Sequence, residues 1–193
     1  MLTAALDKIT ENQDLTEQEA IDVIHRLDTG KVNTAQIAAF LAAIRTKGET
    51  IPEITGLAKG MLEKALKINT NGMGTVVDSC GTGGDRSNSF NISTASAIVA
   101  SAAGLAVAKH SNYSITSKCG SSNVLEALGI PLLTTAGDVE NNLKEHSIAF
   151  IHAPYFHKST FHVNQVRKEL KARTIFNYLG PLTNPARPVG QVV

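Results

Sequence analysis

A change of rhythm near residue 70 constrains this chain more than any other feature: apolar residues recur at helical spacing before it, and short apolar runs alternate with helical patterns after it. Thr16-Glu17-Gln18-Glu19 has the form of a capping box ahead of Ile21, Ile24 and Leu27. Asn33 precedes a second stripe, Ile37, Phe40, Leu41 and Ile44. Thr50-Ile51-Pro52-Glu53 opens a third, with Ile54, Leu57, Met61 and Leu62, proline being tolerated in a first turn. Such stripes must be buried against their own continuation or a second copy of the unit. Asn, Thr and Gly crowd residues 69–74 and mark a linker. Beyond it, residues 75–78, 106–109 and 147–151 read as buried strands, with helices over 93–103, 121–128 and 137–145. The pattern predicts a small all-helical domain over residues 1–70 and a larger, mainly parallel α/β domain over 71–193. The apolar β-like run Val189-Gly190-Gln191-Val192-Val193 has no covering helix after it. The α/β domain is therefore expected to be incomplete, its sheet finished from elsewhere or by the rest of a longer protein.

Charge narrows the partners. Lys and Arg together number 18 against 17 for Asp and Glu, so no basic field for nucleic acid is expected and any polyanion must be held locally. No apolar run approaches the roughly 20 residues that span a bilayer, and Asp7, Lys8 and Glu11 break up any signal peptide. Cys80 and Cys119 are too few for a disulfide framework; both read as reduced thiols in small packing roles, which places the protein in the cytoplasm.

Three clusters carry candidate chemistry. In Asp78-Ser79-Cys80-Gly81-Thr82-Gly83-Gly84-Asp85, glycines let backbone amides approach an anion, and the helix beginning near Ser93 aims its positive end at the same place. The alternative is a plain turn. The stretch is no P-loop, since no Gly-Lys-Ser/Thr closes it, and Arg86 stands where a dinucleotide fingerprint needs its last glycine. The second cluster, residues 109–123, holds Lys109, Lys118, His110 and seven hydroxyls, a set of phosphate and ribose donors or else a solvated loop. The third, Val163 to Leu170, reads as an amphipathic helix with Val163, Val166 and Leu170 inward and Arg167 at the edge, placed to take a carboxylate or to lie over the helix in solvent. Residues 174–185 mix apolar and turn residues and suggest a cleft wall without regular structure. His152, His157 and His162 recur every fifth residue, the wrong spacing for a helical metal pair.

Taken in order, these clusters resemble the anthranilate phosphoribosyltransferase family: Gly-Thr-Gly-Gly-Asp at 81–85, Asn-Ile-Ser-Thr at 91–94, Lys-His-x-Asn at 109–112, Leu-Glu-Ala-Leu-Gly at 125–129 and Arg-Thr-Ile-Phe-Asn-x-Leu-Gly-Pro-Leu-Thr-Asn-Pro at 173–185. The resemblance covers essentially the whole chain and a little over half of the family's length. It implies a helical domain plus an α/β domain, a homodimer formed through the helical domain, and transfer of the phosphoribosyl group of phosphoribosyl pyrophosphate (PRPP) to anthranilate in tryptophan biosynthesis. Carried over by motif, Gly81, Gly84, Asp85, Ser89, Asn91, Ser93, Thr94, Lys109, Ser117 and Ser121 would contact PRPP, with Ser93 also a ligand of Mg2+. Gly81, Asn112 and Arg167 would hold anthranilate, and His110 and His157 would line its path.

The chain also departs from the family pattern. Ser111 and Lys171 replace glycines, Tyr113 stands in place of arginine, and Arg86 replaces a small residue. The substitutions at 111 and 113 flank Asn112, so acceptor affinity or loop geometry is the property they touch. The family's acidic pair for magnesium lies in the carboxyl-terminal part, outside these residues, which leaves activity of the 193-residue chain alone open. A nucleoside phosphorylase of the same fold, or a non-catalytic ligand-binding or assembly protein, are the competing readings.

Overall fold

Ten α-helices, one short 3-10 helix (Lys158–Thr160) and four strands are present among the described residues of the computed structural model, which are 2–83, 90–114 and 119–193. They form two compact units, and the first is discontinuous: residues 1–65 and 157–183 make a helical unit, and 66–156 with 184–193 make an α/β unit. The stretch after Phe156 thus returns to the helices, where a division at residue 70 assigns it wholly to the α/β part.

The helical unit begins with α1 (Leu2–Thr10), α2 (Glu17–Asp28), α3 (Thr34–Lys47) and α4 (Ile51–Lys64). Its starts are set by local polar chemistry. Glu19 N donates to Thr16 Oγ1 at 3.2 Å and Thr16 N to Glu19 Oε2 at 2.7 Å, a reciprocal cap. The bond from Lys8, followed by that from the Thr16 backbone, pulls the Glu19 carboxyl down to about 2. Gln36 N donates to Asn33 Oδ1 at 2.8 Å, and Thr50 N to Glu53 Oε2 at 2.8 Å. Two glycines on α4 let it lie close to α2: a methyl at Gly56 would run into Glu17 O, and one at Gly60 would fall 2.9 Å from Ile24 Cβ.

Leu27, Ile37, Phe40, Leu41, Ile44 and Leu57 meet in the core of this unit. Each such side chain contributes about 1.5–3 kcal/mol by leaving water. Two later helices complete the core, α9 (Phe161–Leu170) with Val163 and Val166, and α10 (Phe176–Leu182) with Phe176 and Leu179. Both correct the reading from sequence. In α9 it is Arg167 that is buried, at 7% exposure, while Leu170 is 37% exposed, because the helix stops at left-handed Lys171 (φ 48°) and its last residue overshoots the core. Residues 176–182 are helical despite Gly180 and Pro181, because the apolar face of Phe176 and Leu179 is buried.

The α/β unit carries β1 (Val76–Asp78), α5 (Ile92–Ala102), β2 (Ala106–Ser111), α6 (Ser121–Ala127), α7 (Ala136–His146), β3 (Ile148–His152), the short α8 (Ala153–Phe156) and β4 (Gly190–Gln191). All pairings are parallel and the order is β3-β2-β1-β4, so the chain reverses its direction of growth between β1 and β4. The two-residue period of the strands separates two cores. Val107 and Phe150 pack with Ala97 of α5 and Leu125 of α6, while Ala108, Ala149 and Ile151 pack with Val139 and Leu143 of α7. β3 starts one residue later than its β-like run because Ser147, at φ 58°, is the left-handed end of α7. At the sheet edge Val189, Val192 and Val193 are exposed. Among the described residues no helix is long and apolar enough to cross a membrane.

Candidate functional site

The carboxyl end of β1 lies at the reversal of strand order, where parallel sheets of this kind open a crevice for ligands. Asp78 organises it. Its Oδ1 accepts from His110 N at 3.1 Å, and its Oδ2 from Asn184 Nδ2 at 2.9 Å and Gln191 Nε2 at 3.0 Å, so one buried carboxylate ties together β1, β2 and β4. Asn184 Nδ2 also donates to Ala108 O at 2.8 Å. Neither Asp78 nor Asn184 was singled out from the sequence. The signal for Asp78 is a lone charge ending an apolar strand; Asn184 is visible only as part of the motif at 173–185, since its partners are distant in sequence.

From this frame the chain enters the glycine stretch. Gly81 is exposed and Gly83 has φ 65°, and among the described residues a Cβ on either would meet nothing within 4 Å. Gly84, Asp85, Ser89 and Ser117 lie outside the described residues. On the far side of the stretch Asn91 caps α5, its Oδ1 accepting from Thr94 N at 3.1 Å and from Ser93 Oγ at 3.2 Å. Ser79 Oγ donates to Ser93 O at 2.8 Å, fixing the start of α5 against the end of β1. Thr94 is 1% exposed, and its Oγ1 has no hydrogen-bond partner among the described residues. An unsatisfied hydroxyl this deep costs about 1–3 kcal/mol, a cost that a bound oxyanion at the helix start removes.

Lys109, on β2, is 1% exposed and donates through Nζ to Ser79 O at 3.1 Å. Burial pushes its pKa down, and the acidic groups of Cys80 and Asp78 only partly oppose this. Lys109 therefore stands beside Ser79, with Asn91, Ser93 and Thr94 reached through the Ser79 to Ser93 bond. His110, also buried, is sent by the pleat to the opposite face of the sheet, so the two adjacent residues do not share a side. Asn112 and Ser121 are brought together: Asn112 N donates to Ser121 Oγ at 3.1 Å, and Ser121 Oγ donates to Asn112 O at 3.2 Å.

Arg167 and His157 belong to the helical unit. Arg167 Nη2 donates to Asn177 Oδ1 at 3.3 Å, its guanidinium carbon lies 5.8 Å from the Phe176 ring centroid, and its Nε has no partner among the described residues. Burial pushes its pKa down to about 10, which keeps it cationic at neutral pH. A buried cation with an open donor is suited to a carboxylate. His157 is 1% exposed, and its carbonyl accepts from Thr160 N at 3.0 Å.

Cys80 is a free, half-buried thiol pushed up to about 12 by burial, then by Asp78, and so inert; Cys119 is exposed, which contradicts a packing role for it. Among the described residues no three His, Cys, Asp or Glu side chains gather as a metal site.

Comparison with known proteins agrees with this architecture. Residues 3–65 match the helical bundle domain, and residues 73–193 the a/b domain, of the glycosyl transferase family. The anthranilate phosphoribosyltransferase of Acetivibrio thermocellus is 51% identical over all 193 residues, which span 56% of its length. The structure of anthranilate phosphoribosyltransferase from Thermus thermophilus superposes with a TM-score of 0.82 at 40% identity, covering 94% of this chain and 55% of that one. That of the Saccharomyces cerevisiae enzyme in complex with PRPP and Mg gives 0.82 at 29% identity, covering 96% and 55%. The chain thus spans little more than half the length of the relatives it matches. It belongs to the glycosyl transferase family defined by these two domains, and within that family is similar to the anthranilate phosphoribosyltransferases.

Proposed function

We propose that the protein transfers the phosphoribosyl group of PRPP to the amine of anthranilate, releasing pyrophosphate, a step of tryptophan biosynthesis. The observation that carries the reading is a buried lysine, Lys109, bonded to Ser79 O, and a buried Thr94 hydroxyl at the start of α5 with no partner among the described residues, both unfavourable until an oxyanion arrives. In this reading Gly81, Gly84, Asp85, Ser89, Asn91, Ser93, Thr94, Lys109, Ser117 and Ser121 hold PRPP. Asn112 and Arg167 hold anthranilate, Arg167 through its carboxylate, with Gly81 beside it and His110 and His157 along its path.

The chemistry asked of these residues is positioning and charge stabilisation. The amine nitrogen attacks the anomeric carbon as the bond from that carbon to the pyrophosphate oxygen breaks, its electron pair leaving with pyrophosphate. The nitrogen then loses its proton, a step that needs no strong base for an aromatic amine. Ser93, half-buried at the helix start with its hydroxyl donating to Asn91 Oδ1, keeps its oxygen lone pairs as a neutral donor and would hold magnesium together with substrate oxygens and water. Magnesium, when bound, would neutralise charge on the departing pyrophosphate.

The helical unit is proposed to carry a homodimer contact, and the α/β unit the PRPP site. The two free thiols, Cys80 and Cys119, suit a reducing compartment, and the cytoplasm is the proposed location.

Two titrations test the reading. Calorimetry with PRPP and magnesium, and the intrinsic fluorescence of anthranilate, should each give saturable binding; loss of that fluorescence over time with both substrates present reports turnover. Phosphorolysis of a pyrimidine nucleoside with orthophosphate, without anthranilate binding, would overturn it in favour of a nucleoside phosphorylase.

A further inference from the structure

The chain between β2 and α6 is pinned at both ends. Besides the two bonds between Asn112 and Ser121, Ser122 N donates to Asn112 O at 3.1 Å. Gly120 closes the knot, since a methyl there would run into Ser114 N and lie 2.8 Å from Asn112 O. These contacts fix the backbone of Asn112. Its carboxamide is fixed separately, by Tyr113 N, which donates to Asn112 Oδ1 at 2.8 Å and leaves the NH2 group as the free end of the side chain.

The orientation of that amide therefore depends on where Tyr113 sits, and Tyr113 is tied down by its ring. Its hydroxyl donates to Glu126 Oε1 of α6 at 2.6 Å, a short charge-assisted bond. Its ring meets the edge of His152, with centroids 4.9 Å apart and planes at 78°. His152 in turn is bonded through Nδ1 to Ser122 Oγ at 2.8 Å and lies 5.3 Å from the Tyr155 ring, so it is a fixed wall. The substitution that departs from the family pattern thus acquires its own set of partners.

We propose that Tyr113 and Glu126 form a clasp, backed by His152, that sets the direction of the Asn112 carboxamide and thereby the affinity for the aromatic acid acceptor. Tyr113 is a positioning residue, acting through Asn112. The inference rests on the function proposed above.

The test uses the whole chain, titrated with anthranilate by fluorescence and with PRPP and magnesium by calorimetry. Tyr113→Phe, which keeps the ring and removes the hydroxyl, should weaken anthranilate binding ~3- to 10-fold and change PRPP binding by less than ~2-fold. Glu126→Ala should do the same, and the double variant should be no weaker than either single one, since both remove one bond. Glu126→Gln, which retains an oxygen acceptor, should recover part of the loss. A general loss of folding moves both ligands together, so an equal fall in PRPP affinity overturns the clasp. Anthranilate affinity unchanged in Tyr113→Phe overturns it as well. If the unaltered chain binds PRPP but no anthranilate, the acceptor reading itself fails, and the clasp with it.

Discussion

The helical unit and the carboxyl end of the β-sheet both bury charged side chains, but they complete them differently. In the helical unit Glu53 is fully buried, and its carboxylate accepts from Leu15 N at 2.9 Å, Lys47 Nζ at 3.1 Å and Thr50 N at 2.8 Å. Burial alone would lower the pKa of Lys47, yet its bonds to Asp14 and Glu53 outweigh this and raise it. Charge is closed upon itself there. At the end of β1, Lys109 has one carbonyl partner, Ser79 O, and Thr94 Oγ1 has none among the described residues. Completed polar groups hold a fold together, whereas incomplete ones are held in place by a fold and await a ligand.

Substitutions can break this contrast if it is wrong. The largest effect is expected at Glu53→Ala, which takes the carboxylate acceptor from the Leu15 and Thr50 amides and one of its two carboxylate partners from Lys47: a loss of about 2–4 kcal/mol in denaturant unfolding of the helical unit. Lys109→Met and Arg167→Ala come next, each costing ~10- to 100-fold in affinity, for PRPP and anthranilate respectively, because a charge-assisted bond is lost. Stability measured by the same unfolding should hold or rise in Lys109→Met. Arg167 sharpens the comparison, being an incomplete charge inside the unit of completed ones; equal losses for both ligands would return it to a structural role.

A pH series probes His152, whose pKa burial lowers to about 4 from an ordinary 6.5, Glu126 opposing. Below 6.5 the unfolded chain takes up a proton that the folded one refuses. The stability from neutral His152 is therefore full above pH 6.5 and lost progressively down to about pH 4. A His152→Phe variant should flatten that part of the profile. The smallest effect is expected for Thr94→Val: stability equal or up to ~1 kcal/mol higher, with PRPP binding ~3- to 10-fold weaker. A destabilised Thr94→Val would mean that the hydroxyl is structural after all.

Features fixed by near neighbours were readable in the residues. The caps at Thr16, Asn33 and Thr50 involve bonds within three positions, and the strands and helices of the α/β unit, the short α8 apart, fall within a residue or two of their apolar patterns. What escaped depends on distance along the chain. Nothing local in Val163 to Leu182 tells that it packs with Phe40 and Leu57, and so that Arg167 turns inward. Asp78 was visible as part of a motif, but its partners at 110, 184 and 191 were not. The link of Tyr113 to Glu126 spans a loop and part of a helix, a pairing that no periodicity predicts.

The discontinuity of the helical unit sets a timetable for its synthesis. The four helices of residues 1–65 leave the ribosome while Val163, Val166, Ile175 and Leu179, their core partners, have yet to be made. At roughly 5–20 residues per second, the intervening stretch Leu66–Phe156 takes several seconds to make. For that interval the nascent helices present an apolar face with nothing of their own chain to cover it. A pause in translation within that stretch would lengthen the exposure, and closure waits until residues 157–183 have cleared the ribosome.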